Sequence, residues 1–191
     1  MEIRYLLDKL KLFEAEQLLA PNGKPSNLNP VQYQQVRTPE FKAWFGDSKV
    51  VDENGEPLVV YNGSPSDFDE YDRDKVSPGF YTFDGGFYFS SDTQVASDYA
   101  NRENGNVKPM FLSLKNPVIV DDPKEFLRDL IKKHGTDGAR YARLEVEQAG
   151  HDGLYYPTIG TYVAFKPNQA KSAIGNTGSF SQQSNKVHEG Y

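Results

Sequence analysis

The chain has 191 residues, 37 % of them hydrophobic and 25 % charged, with a net charge of −6. It has no cysteine, which excludes disulfides, thiolate nucleophiles and thiolate metal ligands, and its three histidines (His134, His151, His188) lie too far apart for a ligand motif, so no metal is expected. Residues 41–90 hold four basic and ten acidic side chains, the whole of the net charge, which argues against nucleic acid as a partner because phosphate affinity rests on Lys and Arg.

Residues 2–19 read as an amphipathic helix, with Leu6, Leu7, Leu10, Phe13 and Leu18 on one face and charges opposite. The face can dock on the rest of the chain or on a partner. Its charges, from Asp8 and Lys9 to Glu16, argue against a secretory leader. No apolar run approaches the ~20 residues of a membrane span. Residues 21–30 are rich in Pro, Asn, Gly and Ser and read as a linker free to move. Residues 1–37 are therefore taken as helix plus linker.

Thr38-Pro39 marks a helix start, Phe41, Trp44 and Phe45 give it an apolar side, and Gly46 ends it. Lys49–Val51 and Leu58–Tyr61 read as strands around the turn at 52–57. Asn62-Gly63-Ser64 follows as a turn by spacing alone, although a glycine there allows close backbone approach to a ligand. Residues 65–84 form a Gly/Asp/Ser/Pro-rich loop, a candidate lid with Phe80, Tyr81 and Phe83. Within it, the acidic run 67–72 is either a solvated loop or a surface for a basic partner.

Gly85-Gly86 leads into the aromatic strand Phe87–Ser90, and Ser91 or Asp92 caps a helix running to about Arg102. Tyr88 on the strand and Tyr99 on the helix can face one cleft and sandwich a flat ring, or both can be ordinary core aromatics. Strands follow at Met110–Leu114 and Val118–Val120. Asp122-Pro123 then caps a helix through Lys133, closed by Gly135. A second helix spans roughly Asp137 to Ala149. Gly150–Tyr156 turns into a strand, Tyr162–Phe165 is the last clear strand, and the tail from Ser181 is polar and expected to fray.

The stretch from Gly86 to Tyr99 resembles the second motif of the ADP-ribosyltransferase fold, in its diphtheria-toxin and poly(ADP-ribose) polymerase branch. There a Gly-aromatic-Tyr-Phe strand precedes a helix of the form Ser/Asp-x-x-x-Ala-x-x-Tyr, here Asp92, Ala96 and Tyr99. The opening, from Phe41 to Tyr61-Asn62-Gly63-Ser64, is similar to that of ADP-ribosyltransferase-like domains in phage polyvalent and phage-associated proteins. So is the ending, from Lys166-Pro167 through Gln169 and Lys171-Ser172 to Gly175-Asn176 and Gly178-Ser179-Phe180. The resemblance covers residues 38–180 and leaves 181–191 as a polar tail.

The resemblance implies an α+β fold, two small antiparallel sheets making a split cleft that holds NAD⁺, with helices around them and the N-terminal helix added. It places Tyr61, Asn62, Gly63, Ser64, Tyr88, Ala96 and Tyr99 at the dinucleotide. It makes Asn62, Tyr88 and Thr161 the triad, with Gln169 a further polar candidate. The family usually has histidine where this chain has Asn62, and the polymerase-like enzymes have glutamate where it has Thr161. Glu145, Glu147 and Asp152 are other carboxylates the fold can bring near. The activity implied is mono-ADP-ribosyl transfer from NAD⁺ to a host protein, by a phage or mobile-element protein in the cytoplasm of a bacterial host. The alternatives are a degenerate domain that binds a protein partner in host defence or host takeover, and transfer to nucleic acid.

Overall fold

The computed structural model of the chain describes residues 18–64, 68–72, 86–101, 105–135, 138–176 and 179–189. The helix expected over residues 2–19 therefore lies outside the described residues, apart from its last two. Most of the 65–84 loop, with Phe80, Tyr81 and Phe83, lies outside them as well.

The linker reading of 21–30 gives way to an ordered segment. Asn22 donates to Asn54 Oδ1 (3.0 Å), Asn27 to Asp52 Oδ2 (2.8 Å), and Ser26 to Glu56, so the segment lies along the 52–56 turn. It ends in a helix the composition hid, α1 (Pro30–Gln35), closed by an Asn29–Gln32 capping box. Helix α2 (Pro39–Phe45) forms as expected: Thr38 Oγ1 accepts from the Phe41 N–H, and Gly46 ends the helix at φ +52°. Phe41, Trp44 and Phe45 pack on Phe111, Ala173 and Phe180.

Strand β1 (Val60–Ser64) takes in the Asn-Gly-Ser that spacing read as a turn. The strand expected at Lys49–Val51 reduces to one bridge, Val51 to Pro57, flanked by bonds from the Asp52 N–H to Glu56 and from the Leu58 N–H to Val50, and the Lys49 N–H turns instead to the Leu114 carbonyl. Strand β2 (Phe87–Ser90) leads into α3 (Thr93–Asn101), whose N-terminus Asp92 caps through the Gln94 N–H. Then come β3 (Asn106–Leu112), β4 (Val118–Ile119), α4 (Pro123–His134), α5 (Gly138–Gln148), β5 (Gly153–Tyr156) and β6 (Thr161–Ala164). A 3₁₀ turn at Pro157–Ile159 separates the last two, and β7 (Ala170–Ser172) follows.

The fold is α+β, as the sequence implies. In place of two separate sheets there is one of seven strands, ordered β4-β5-β6-β2-β1-β3-β7. All its pairs are antiparallel except β4 with β5. The split survives as a seam: β1 and β2 share a single residue pair, Tyr61 with Ser90, whereas β1 and β3 share five. The halves β4-β5-β6-β2 and β1-β3-β7 meet there.

The sheet packs on both sides. Val60, Phe87, Phe89, Met110, Leu112, Tyr162 and Ala164 form one cluster, while Leu154, Tyr156, Val163 and Phe165 join Leu130 of α4 in another. The described part of the tail, 181–189, is packed rather than frayed. Val187 is buried in the first cluster, and its carbonyl accepts from the Ser172 N–H (2.8 Å), covering the β7 edge. The fully buried Lys171 ammonium donates to the carbonyls of Ser184 and Lys186 and to the Glu189 carboxylate. In the described part of the acidic run, 68–72, the side chains of Asp69, Glu70 and Asp72 are exposed while the segment itself is anchored. Its Tyr71 ring is buried against Phe68, Phe87 and Phe89, and its backbone bonds the tail at Asp69 and Glu70.

Candidate functional site

The site builds outward from the seam. Pro109 of β3 has no N–H, and its carbonyl accepts from Ala173 on the β7 side (2.9 Å). Tyr61 opposite Pro109 is therefore a non-hydrogen-bonded pair, and the bonded pairs fall at Val60–Met110 and Asn62–Lys108. It follows that Tyr61 and Gly63 aim their peptide groups away from β3, toward β2. Tyr61 meets Ser90 there. The ladder stops at that pair, so the N–H and C=O of Gly63 face β2 across the seam.

Asn62 crosses the same seam. Its Nδ2 donates to the Tyr88 carbonyl (2.8 Å), and its Oδ1 is buried with no hydrogen-bond partner among the described residues. A buried acceptor left unmade costs about 1–3 kcal/mol, so such an atom is a place where a ligand donor is welcome.

Gly63 is required for a reason the sequence did not give. A Cβ there would sit 2.0 Å from the Ala96 carbonyl oxygen and 3.1 Å from the Ala100 nitrogen. The missing side chain lets α3 lie on β1, with Ala96 and Ala100 buried beneath it. Ala96 is thus a packing residue, and Ser64 is half-buried at the end of β1, opposite Asn106.

On the other side of the seam, Tyr88 pairs with Val163 and Ser90 with Thr161. Tyr88, Ser90 and Thr161 share one face, and Thr161 is the diagonal neighbour of Tyr88, about 7–8 Å away. A row therefore crosses four strands: Tyr61, Ser90, Thr161 and Tyr156. Tyr156, which the sequence reading did not single out, is a buried residue that register adds to this candidate site. Burial, with a smaller push from the neighbouring Tyr88 phenol, holds its pKa above the ordinary tyrosine value. Tyr99 stands on α3 at 59 % exposure, beside the buried Ala100.

Gln169 is not gathered here. Its Oε1 accepts from the N–H groups of Phe165 and Lys166, and its Nε2 donates to the carbonyls of Asp152 and Ser113. All four positions of the amide are filled, at the opposite end of β6 from Thr161. The spare carboxylates are engaged elsewhere too. Glu145 pairs with Lys133 and His134, Glu147 with Arg143, and Asp152 accepts from the N–H groups of Lys115 and Asn116. Among the described residues no group of three or more His, Asp or Glu is placed to hold a metal ion, and no helix is long and apolar enough to cross a membrane.

A helix-flanked sheet, split between an Asn-Gly strand and a Tyr-bearing strand, defines an ADP-ribosyltransferase-like domain. The comparison with known families agrees: residues 52–180 match the family described as ADP-ribosyltransferase in polyvalent proteins. The chain belongs to that family, and NAD⁺ is the co-substrate that membership implies. No curated protein and no solved structure matches the chain.

Proposed function

We propose that the protein is a mono-ADP-ribosyltransferase of phage or mobile-element origin that modifies a host protein in the bacterial cytoplasm. The observation that carries the reading is the seam itself, where Asn62 bonds the Tyr88 backbone and keeps a buried acceptor without a partner among the described residues. The residues present suit NAD⁺. Gly63 offers one donor and one acceptor side by side, the complement of a carboxamide. Asn62 Oδ1 accepts from a ribose hydroxyl. Tyr88 and Tyr99 bracket a flat ring. Tyr61 and Ser64 flank this strand segment as further contacts to the dinucleotide.

Bound NAD⁺ supplies a ribose C1′–nitrogen bond whose cleavage releases nicotinamide. The chain's own residues hold and orient it. The Thr161 hydroxyl leans toward the Ile159 carbonyl (3.4 Å), which leaves its lone pairs to accept from a ribose hydroxyl. Threonine cannot take a proton at neutral pH, so this site has no general base of its own at that position. A protein carboxylate is the acceptor that suits it. Such a nucleophile brings no proton to lose, forms its bond to C1′ directly, and leaves positioning and electrostatics as the protein's contribution.

Asn62 and Thr161, standing where histidine and glutamate are the rule, favour a second reading: a degenerate domain that binds a protein partner. Calorimetry with NAD⁺ and an assay for released nicotinamide separate the two. Binding with release supports the transferase. Binding without release, in the presence of cell lysate, supports the degenerate module.

A further inference from the structure

Ser91 is where three parts of the candidate site meet. It follows β2, which carries Tyr88, and precedes α3, which carries Tyr99. Both its N–H (2.8 Å) and its hydroxyl (3.2 Å) donate to the carbonyl of Gly160, the residue just before Thr161. Gly160 is left-handed (φ +58°, ψ +33°), and a Cβ there would stand 2.3 Å from Ser91 Oγ and 3.6 Å from Ser91 Cβ. The turn from Pro157 to Gly160 is thus tied to the start of α3 at one carbonyl, and a side chain at 160 would displace the Ser91 hydroxyl and strain a left-handed backbone.

We propose that Ser91 is a positioning residue for the transfer reaction: through the Gly160 carbonyl it fixes Thr161 against Tyr88 and α3. The inference rests on the transferase reading. Ser91 is exposed, so its hydroxyl is worth little to the fold. Its worth is in geometry, where a displacement of about 1 Å at a reacting group can cost on the order of 100-fold in rate.

The test uses the full chain with NAD⁺ and water as acceptor. The nicotinamide–C1′ bond breaks with its electron pair leaving on nicotinamide, water oxygen bonds C1′, and its proton passes to solvent. Ser91→Ala should lower kcat on the order of tenfold. It should leave KM for NAD⁺ and, to within about 1–2 °C, the thermal midpoint unchanged. Ser91→Thr, which restores a hydroxyl, should recover most of the rate. Gly160→Ala should be worse than Ser91→Ala. Adding Ser91→Ala to it should improve it, because the Oγ that its new methyl strikes is gone.

Wild-type turnover matched in kcat by Ser91→Ala would overturn the positioning role alone. So would a loss that appears only in KM or in the thermal midpoint. Absence of nicotinamide release by the wild-type protein, with cell lysate supplying protein acceptors as well as water, would overturn the transferase reading, and this inference with it.

Discussion

The side-chain amide of Asn62 donates 2.8 Å to the backbone carbonyl of Tyr88, one residue past the only pair that joins β1 to β2. One residue type thus closes the seam and leaves an acceptor inside it. Histidine in the same place would offer one ring nitrogen to the carbonyl and the other to the ligand. Asparagine does both jobs with one planar amide, without the option of a charge.

Replacing Asn62 should therefore affect both fold and ligand. Asn62→Ala removes one hydrogen bond, worth about 1 kcal/mol of stability. It should also weaken NAD⁺ binding, on the order of tenfold, because an acceptor inside the seam is lost. Asn62→Asp keeps the acceptor but loses the donor to Tyr88 and adds a negative charge beside an anionic dinucleotide. It should bind more weakly than the wild type at low salt, with the gap narrowing as salt rises. Calorimetry across a salt series checks both.

Gly63→Ala should act through packing. Its methyl would meet the Ala96 carbonyl at 2.0 Å, and that atom belongs to helix backbone that cannot rotate away. We expect a loss of about 1–3 kcal/mol as α3 is pushed off β1, with NAD⁺ affinity falling too. Denaturant unfolding with a parallel binding assay checks it. Unchanged stability would mean that α3 is not seated on the strand as described.

Gln169→Ala should separate from the site residues. Its amide ties the β6–β7 connection, at the Phe165 and Lys166 N–H groups, to the carbonyls of Ser113 after β3 and Asp152 before β5, so the loss should be about 1–3 kcal/mol in stability. Affinity for NAD⁺ should stay at the wild-type value at temperatures where the variant is folded. A selective loss of binding would return Gln169 to the site.

The buried pair Lys171–Glu189 should govern acid stability. Burial alone would push the Glu189 carboxyl up. The Lys171 ammonium, the Ser181 N–H and the Ser184 side chain outweigh it and hold the pKa below the ordinary 4.5. Burial pulls the Lys171 pKa down against the attraction of Glu189, so the two shifts disagree on whether the pair gains or loses by being buried. The carboxylate decides the acid behaviour, because Lys171 stays charged throughout that range. A depressed carboxylate pKa gives stability that is complete above pH 4.5 and lost as the pH falls through the folded value. Glu189→Gln should cost about 3–5 kcal/mol at neutral pH, by leaving the ammonium buried without its counter-charge. That gap should shrink below pH 4.5. Thermal midpoints of both proteins from pH 7 to pH 3 check the sign.

Much of this fold could be read from local chemistry. Thr38-Pro39 with Gly46, and Asp122-Pro123 with Gly135, bracketed helices that form where they were expected, since caps act on their nearest residues. What failed was non-local. Asn22 and Asn27 look like linker residues until the turn at 52–56 supplies their partners, and that turn lies more than 20 residues away in the chain. Val187 in a polar tail gave no periodic signal, yet it closes a sheet edge. At the site, Tyr88 and Asn62 were legible only through motif resemblance. Gly63 was legible as a requirement but not for its cause, because the clash is with a helix 33 residues on. Tyr156 escaped because one tyrosine among 12 carries no pattern of its own until strand register sets it beside Thr161.

The most direct test of the seam as an NAD⁺ site is transfer itself. Purified protein is incubated with labelled NAD⁺ and a bacterial lysate, beside Tyr88→Ala and Tyr88→Phe. The expected result is a labelled protein band that Tyr88→Phe largely keeps, because the ring remains, and that Tyr88→Ala abolishes. A band equally strong in Tyr88→Ala would contradict the seam as the donor site. No band in the wild type, with NAD⁺ bound and unreleased, would leave the domain as a binding module built on a transferase fold.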